Sequence, residues 1–169
     1  GTLNILELSK SLKKLKTILI VTSDKVYKNS ETKKNFKESD QLGGDDPYSS
    51  SKSGADMISN SYYESFFKMK KIGFGILRAG NVYGGGDFNE GRLFPDIMMS
   101  IFFKKKLEVR NPSHIRPWQH VFDCIYRYLV IAENLFNNPE KYSGEWNIGP
   151  NKNTSTKVID IIQTLKRNN

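Results

Sequence analysis

Two short stretches hold side chains able to do chemistry: Tyr48 to Lys52, and Thr22-Ser23-Asp24-Lys25 upstream. If the segment from Asp46 to about Met69 is helical, Tyr48 and Lys52 stand one turn apart on one face. An ammonium then lies beside a phenol. A free tyrosine ionises near pH ~10 and serves as a base near neutrality only where a positive charge favours the phenolate. Lys52 is spaced to supply that charge. The spacing alone is a weak signal, because a chain with eight tyrosines and many lysines yields roughly one Tyr-x-x-x-Lys by chance. An amphipathic helix with a solvated lysine accounts for it equally well.

The elements that must carry these residues follow from the apolar pattern. From Thr2 to Leu15, the positions Leu3, Ile5, Leu6, Leu8, Leu12 and Leu15 keep a helical period. Thr17-Ile18-Leu19-Ile20-Val21 is a continuous β-branched and aliphatic run, expected to be a strand buried on both faces of a parallel sheet. It delivers Thr22 to Lys25 at a strand's carboxyl end, where open α/β sheets bind ligands. A plain turn, with Ser and Asp capping backbone groups, is the competing reading. Lys28 to Asp46 reads as a long polar loop, and Pro47 as the first turn of a helix capped by Asp45 or Asp46. That helix is expected to turn Ala55, Met57, Ile58, Tyr62, Phe66 and Phe67 inward. A strand at Gly73 to Arg78 completes a βαβ unit with a right-handed crossover.

Downstream, Gly84-Gly85-Gly86-Asp87 permits close backbone approach to a ligand or serves as a connector. A helix from Phe94 to Phe103, a strand at Leu107 to Arg110, a helix from Phe122 to Phe136, a strand at Trp146 to Gly149 and a helix from Thr156 to Leu165, capped by Thr154 or Ser155, follow. Arg116, close to Trp118 and His120, suits bidentate phosphate binding, with a surface ion pair as the alternative.

The 169 residues suffice for one core, or for part of a larger protein. With 37% hydrophobic residues and no apolar run near ~18 residues, a spanning helix is excluded. The single Cys124 excludes an internal disulfide and a cysteine zinc site, and a cytoplasmic setting is expected. A net charge of +8 suggests an anionic partner: nucleic acid, a membrane surface or a phosphate-bearing small molecule. The lysines are scattered, which favours solvated faces over a nucleic-acid surface.

With these motifs in order, the chain resembles the extended short-chain dehydrogenase/reductases, in particular the nucleotide-sugar 4,6-dehydratases. The residues that carry the likeness are Gly1 to Glu7, Thr22 to Tyr27, Asp46 to Lys52, Leu77 to Val82, Arg116 to Val121 and Trp146 to Pro150. Ser23-Asp24-Lys25, Gly84 to Asp87 and Arg110-Asn111-Pro112 look like the CDP-glucose branch of that family; the dTDP-glucose enzymes carry Glu where this chain has Lys25. The resemblance implies an α/β fold: part of a Rossmann-type doubly wound parallel sheet over residues 1–103, interleaved with part of a smaller α/β nucleotide-sugar-binding region over 104–169. The family's Gly-x-x-Gly-x-x-Gly turn and ribose-binding acid are not in this sequence, so the chain is expected to be an internal piece, inactive alone.

By position, the resemblance implies NAD as cofactor, held by Tyr48, Lys52, Thr22 and Asn81. It implies Tyr48 as the base at a sugar 4-hydroxyl, Lys52 as its activator and Ser23 as a hydrogen-bond donor to the 4-oxygen. Asp24 and Lys25 become acid and base for loss of water from C5 and C6, and Asn81, Arg92 and Arg116 contact the nucleotide sugar. It further implies a homodimer through the Tyr48/Lys52 helix, with neither nucleic acid nor membrane as partner. Asp24-Lys25 argues against the related 4-epimerases, which eliminate no water. A basic nucleic-acid-binding domain would explain the charge but not the ordered motifs.

Overall fold

The computed structural model describes residues 1–28, 35–150 and 156–167, in two packed units: Gly1–Gly80 with Cys124–Ile148, and Asn81–Asp123 with Gly149–Asn169. The chain begins with α1 (Thr2–Ser9), β1 (Thr17–Val21), a 3-10 turn (Asp24–Val26), α2 (Pro47–Tyr62) ending in a π-helical turn (Tyr63–Phe67), and β2 (Gly73–Ala79). Then come β3 (Val82–Tyr83), α3 (Leu93–Phe103), β4 (Ile115–Arg116), β5 (Gln119–His120) and α4 (Val121–Asn137). The remainder is α5 (Pro139–Tyr142), β6 (Gly144–Ile148), β7 (Thr156–Lys157) and α6 (Val158–Arg167).

In the first unit β1, β2 and β6 form a parallel sheet in that order. Thr17 pairs with Gly73 and Val21 with Leu77; Gly75 pairs with Gly144 and Ala79 with Ile148. Every residue of the central β2 is buried. Side chains alternate across a strand, so Ile18, Phe74 and Ile76 join Leu6, Phe67 and Ile72 on one face. Leu77, Ala79 and Ile148 meet Cys124, Ile131 and Leu135 on the other. Helices therefore cover both faces, the doubly wound arrangement. A Cβ at Gly73 would lie 2.5 Å from the Leu135 carbonyl oxygen, so α4 packs directly on the strand backbone.

Three sequence expectations change here. β1 is not buried on both faces: it stands at one side of the three-stranded order, and Val21 is 50% exposed. α1 stops at Ser9 rather than Leu15, because the chain leaves through turns closed by Ser11 N–H to Leu8 O (3.1 Å) and Leu12 N–H to Ser9 O (3.2 Å). In α2 the buried residues are Ser49, Ser53, Asp56 and Ser59, while Met57, Ile58 and Phe66 are exposed. Serines are small enough to let the helix sit close to its neighbours, and their hydroxyls find backbone partners: Ser53 Oγ donates to Val26 O and Ser59 Oγ to Ala55 O, each at 2.6 Å.

In the second unit β3 pairs in parallel with β5, and β4 antiparallel with β7. Ile97 of α3 and Val158 and Ile162 of α6 form its core with Leu93, Ile101, Leu107 and Val109 around them. Leu107 to Arg110 is therefore not the expected strand: Leu107 and Val109 are spent on that core, and the pairing falls to Ile115–Arg116. α6 starts at Val158, and the expected caps Thr154 and Ser155 lie outside the described residues. The packing places α3 in the second unit with α6 and returns most of α4 to the first sheet, a division different from that at residue 103.

Candidate active site

β1 ends where Thr22 N–H donates to Leu77 O at 2.9 Å. Ser23 then caps the 3-10 turn: its Oγ accepts from Lys25 N–H (3.2 Å) and donates to Asp24 Oδ1 (3.2 Å). The capping role read from the sequence is thus real for Ser23. Ser23 is buried, Asp24 half-buried and Lys25 exposed.

α2 begins at a firm N-cap. Asp46 Oδ1 accepts from the N–H groups of Tyr48 (2.9 Å) and Ser49 (3.0 Å), while Oδ2 accepts from the Ser49 hydroxyl. The Ser49 bonds hold the Asp46 carboxyl below its usual range. A Cβ on Gly44 would lie 2.4 Å from Ser49 Cβ and 2.6 Å from its carbonyl carbon, so only glycine lets the incoming loop pass the helix start. Tyr48 is 55% exposed, and Lys52 Nζ lies 6.0 Å from the Tyr48 ring centre. Asp24 and Lys25 share with Asp45, Asp46 and Ser49 the wall of a cavity of about 220 Å³, which brings the turn and the helix start together. Tyr48 and Lys52 stand outside that lining.

Beneath these residues lies a polar network that the sequence reading missed. Asp56, one turn beyond Lys52, receives Arg78 through two bonds, Nε to Oδ2 (2.9 Å) and NH2 to Oδ1 (2.7 Å). The Arg78 side chain is 2% exposed and that of Asp56 1%. Thr22 Oγ1 donates to Asp56 Oδ2 (3.2 Å), so the hydroxyl expected at the cofactor faces the interior. Arg78 NH1 donates to Tyr27 Oη (3.0 Å) and to the Glu38 carbonyl (2.8 Å), and Tyr27 donates to Asn147 Oδ1 (2.5 Å). Burial works against the guanidinium charge, but the bonds to Asp56 and Tyr27 outweigh it and keep Arg78 protonated. Burial pushes the Tyr27 phenol up. Phe36 stacks on Tyr27 with ring centres 4.8 Å apart, and Asn147 reaches the carbonyl of Phe36 and the carboxylate of Glu38. The available signals were a lone arginine in the apolar run of β2 and an aspartate in a stripe of serines.

Asn81, Arg92 and Arg116 belong to the second unit. The Asn81 carbonyl accepts from Gln119 N–H at 3.0 Å. Arg92 pairs on the surface with Asp87 at 3.0 Å, the bland outcome for an arginine. Arg116, on β4, lines a cavity of about 420 Å³ with Arg110, Asn111, His114 and Trp118, and with the carboxylates of Asp96 and Glu108. Buried Trp118 Nε1 has no hydrogen-bond partner among the described residues. Gly84 to Gly86 border a separate cavity of about 680 Å³ walled by Tyr83, Phe94 and His120. Among the described residues no helix is long and apolar enough to cross a membrane, and no three His, Cys, Asp or Glu cluster as metal ligands would.

A parallel sheet wound on both faces, with a Tyr-x-x-x-Lys pair on the helix after its first strand, is a Rossmann-type arrangement. The chain belongs to the GDP-mannose 4,6 dehydratase family, which it matches over residues 1–163. It is 38% identical over 167 residues to a CDP-glucose 4,6-dehydratase of Salmonella typhimurium (strain LT2), covering 96% of this chain and 46% of that protein. The crystal structure of dTDP-glucose 4,6-dehydratase from Bacillus anthracis str. Ames in complex with NAD superposes with a TM-score of 0.77 at 28% identity, covering 99% of this chain and 50% of that one. UDP-glucuronic acid 4-epimerase from Bacillus cereus, in complex with UDP-glucuronic acid and NAD, shares the fold with a TM-score of 0.80 at 24% identity, over 98% of this chain and 49% of that one. The chain spans about half the length of these relatives.

Proposed function

We propose that this chain is part of an NAD-dependent nucleotide-sugar 4,6-dehydratase whose substrate is CDP-glucose. The reading rests on α2: a tyrosine and a lysine one turn apart, 6.0 Å from Nζ to ring centre, on a helix tied by Ser53 and Asp56 to the polar turn that ends β1. The 38% identity to a CDP-glucose 4,6-dehydratase supports the choice of nucleotide.

Tyr48 takes the proton of the sugar 4-hydroxyl, and Lys52 favours the phenolate that does so. Ser23, on turning its hydroxyl away from Asp24, donates to the 4-oxygen. NAD, when bound, would supply the hydride acceptor for C4 and the hydride donor for C6. The residues present suit it: Tyr48 is accessible, and the carboxyl edge of a parallel sheet is where such dinucleotides bind. Tyr48, Lys52, Thr22 and Asn81 would hold it; Thr22 would do so without its hydroxyl. A ketone at C4 acidifies the C5 proton, which Lys25 removes while Asp24 protonates the departing 6-hydroxyl, leaving a 4-keto-5,6-ene; addition of hydride at C6 and return of a proton from Lys25 to C5 then give the 4-keto-6-deoxy sugar. A lysine acts as a base only in its neutral form, which burial or a neighbouring positive charge favours; Lys25 is exposed in this chain. Arg116, in a cavity shared with Arg110 and His114, suits the diphosphate, and Arg92 and Asn81 complete the nucleotide-sugar contacts.

The full-length enzyme is a cytoplasmic homodimer through the Tyr48/Lys52 helix. Exposed Met57 and Ile58 on α2, and Leu3, Ile5 and Leu8 on α1, support that surface. The two helices already adjoin, with Tyr62 bonded to Glu7 and Lys10 Nζ 4.4 Å from the Phe66 ring. Nucleic acid and membrane are not among its partners, the scattered lysines serving as solvated faces. In full-length protein, Tyr48→Phe should lower turnover of CDP-glucose by roughly 10²-fold or more. Normal turnover would refute Tyr48 as the base, and a C4 epimer in place of a 4-keto-6-deoxy product would refute the dehydratase reading.

A further inference from the structure

We infer that Asp56 is a positioning residue for this reaction, a single carboxylate that sets the Tyr48/Lys52 helix against the strand end bearing Ser23, Asp24 and Lys25. The inference rests on the reading of Tyr48 as the base. Both Asp56 oxygens are committed: Oδ1 to Arg78, and Oδ2 to Arg78 and to Thr22 Oγ1. Thr22 directly precedes Ser23, and Asp56 follows Lys52 by one helical turn. One turn of α2 is therefore fastened to the ends of two strands, through Thr22 after β1 and Arg78 on β2. Ser53 adds a second tether at the same height, donating to Val26 O at 2.6 Å behind the 3-10 turn. Tyr48 and Lys52 border this buried stripe, so a shift or roll of the helix moves the ammonium relative to the hydroxyl and the turn it must serve.

Stability is a poor explanation for such a pair. Taking two charges out of water costs about as much as their attraction returns, and apolar residues of similar volume often do as well or better. An ion pair does what a leucine and a methionine cannot: the bidentate geometry fixes distance and rotation together. Catalytic geometry is sensitive on that scale, since a misplacement of about 1 Å can cost 10²-fold in rate.

The test uses full-length protein and two variants. Thr22→Val keeps the ion pair and the side-chain volume and removes only the tether to β1. Asp56→Leu/Arg78→Met removes the pair without stranding a charge. Tyr48 ionisation is read as the tyrosinate absorbance difference between each protein and the same protein carrying Tyr48→Phe, which needs no turnover. With Thr22→Val, thermal unfolding should match the parent while Tyr48 ionises at higher pH, the direction expected if the ammonium retreats. Its kcat should fall severalfold with KM for the nucleotide sugar unchanged, and the acidic limb of the pH profile should move with the titration. The double variant should fold and lose about tenfold or more in kcat. If Thr22→Val and the double variant both titrate Tyr48 as the parent does and keep its kcat and pH profile, Asp56 is only structural. Normal turnover by Tyr48→Phe alone would instead overturn the assignment of the base, and the titration would still decide on Asp56.

Discussion

Replacing Arg78 by methionine removes four hydrogen bonds: two to Asp56, one to the Tyr27 hydroxyl and one to the Glu38 carbonyl. The Asp56 carboxylate, 1% exposed in the parent, keeps only the Thr22 hydroxyl. Breaking a buried pair in this way costs about 3–5 kcal/mol, because the stranded charge is not rehydrated. At roughly 2–4 °C per kcal/mol for a protein of this size or larger, the midpoint of thermal unfolding should fall by on the order of 10 °C. Adding Asp56→Leu should recover most of the loss. The exposed pair of Lys71 and Glu140, at 2.9 Å with side chains 73% and 70% exposed, provides the contrast: Lys71→Met should change stability by no more than about 0.5 kcal/mol. Circular dichroism of the four proteins decides the matter. If Arg78→Met melts within about 2 °C of the parent, or if the double variant is less stable than the single, the pair is not the dry, paired charge described.

Gly73→Ala should destabilise by about 1–3 kcal/mol in urea unfolding, since the added methyl meets the Leu135 carbonyl oxygen at 2.5 Å and α4 must move. Asp46, whose folded carboxyl is held low by Ser49, contributes stability present above the unfolded value and lost as pH falls through the folded one. Hydrogen exchange at the Tyr48 and Ser49 amides, corrected for intrinsic rates, should therefore rise below about pH 4, and Asp46→Asn should abolish that pH dependence. In full-length protein, Lys25→Ala should let CDP-glucose reduce bound cofactor yet admit no solvent deuterium at C5; exchange at the parent rate would remove Lys25 from the role of base.

The βαβ unit was legible because its signals are local. Thr17 to Val21 and Gly73 to Arg78 are apolar runs, and Asp46-Pro47 announces a helix start. The Tyr48/Lys52 pair was legible for the same reason, being a spacing within one helix. The inward face of α2 was not, because apolar periodicity assigns Met57, Ile58 and Phe66 to the core, whereas close packing selects small serines there. Nor was Arg78 with Asp56: the partners lie 22 residues apart and meet only once the crossover has formed. β3, β4, β5 and β7, each two residues long, are too short for any alternation, so tertiary contact alone decides them.

The central position of β2 also governs how this chain can be made. Its partners lie far away on both sides: Thr17 pairs with Gly73, and Ala79 with Ile148. Parallel pairing at such separations must meet loop-closure entropy before any contact repays it, which makes the sheet slow to form. A ribosome adding about 5–20 residues per second has finished β2 several seconds before β6 appears. During that interval β1 and α1 can cover one side of β2, but the side destined for Cys124, Ile131 and Leu135 has no cover from those residues. The nascent chain therefore presents an unpaired strand edge beside an apolar face throughout the wait between Ala79 and Gly144, the stage at which it is most open to association.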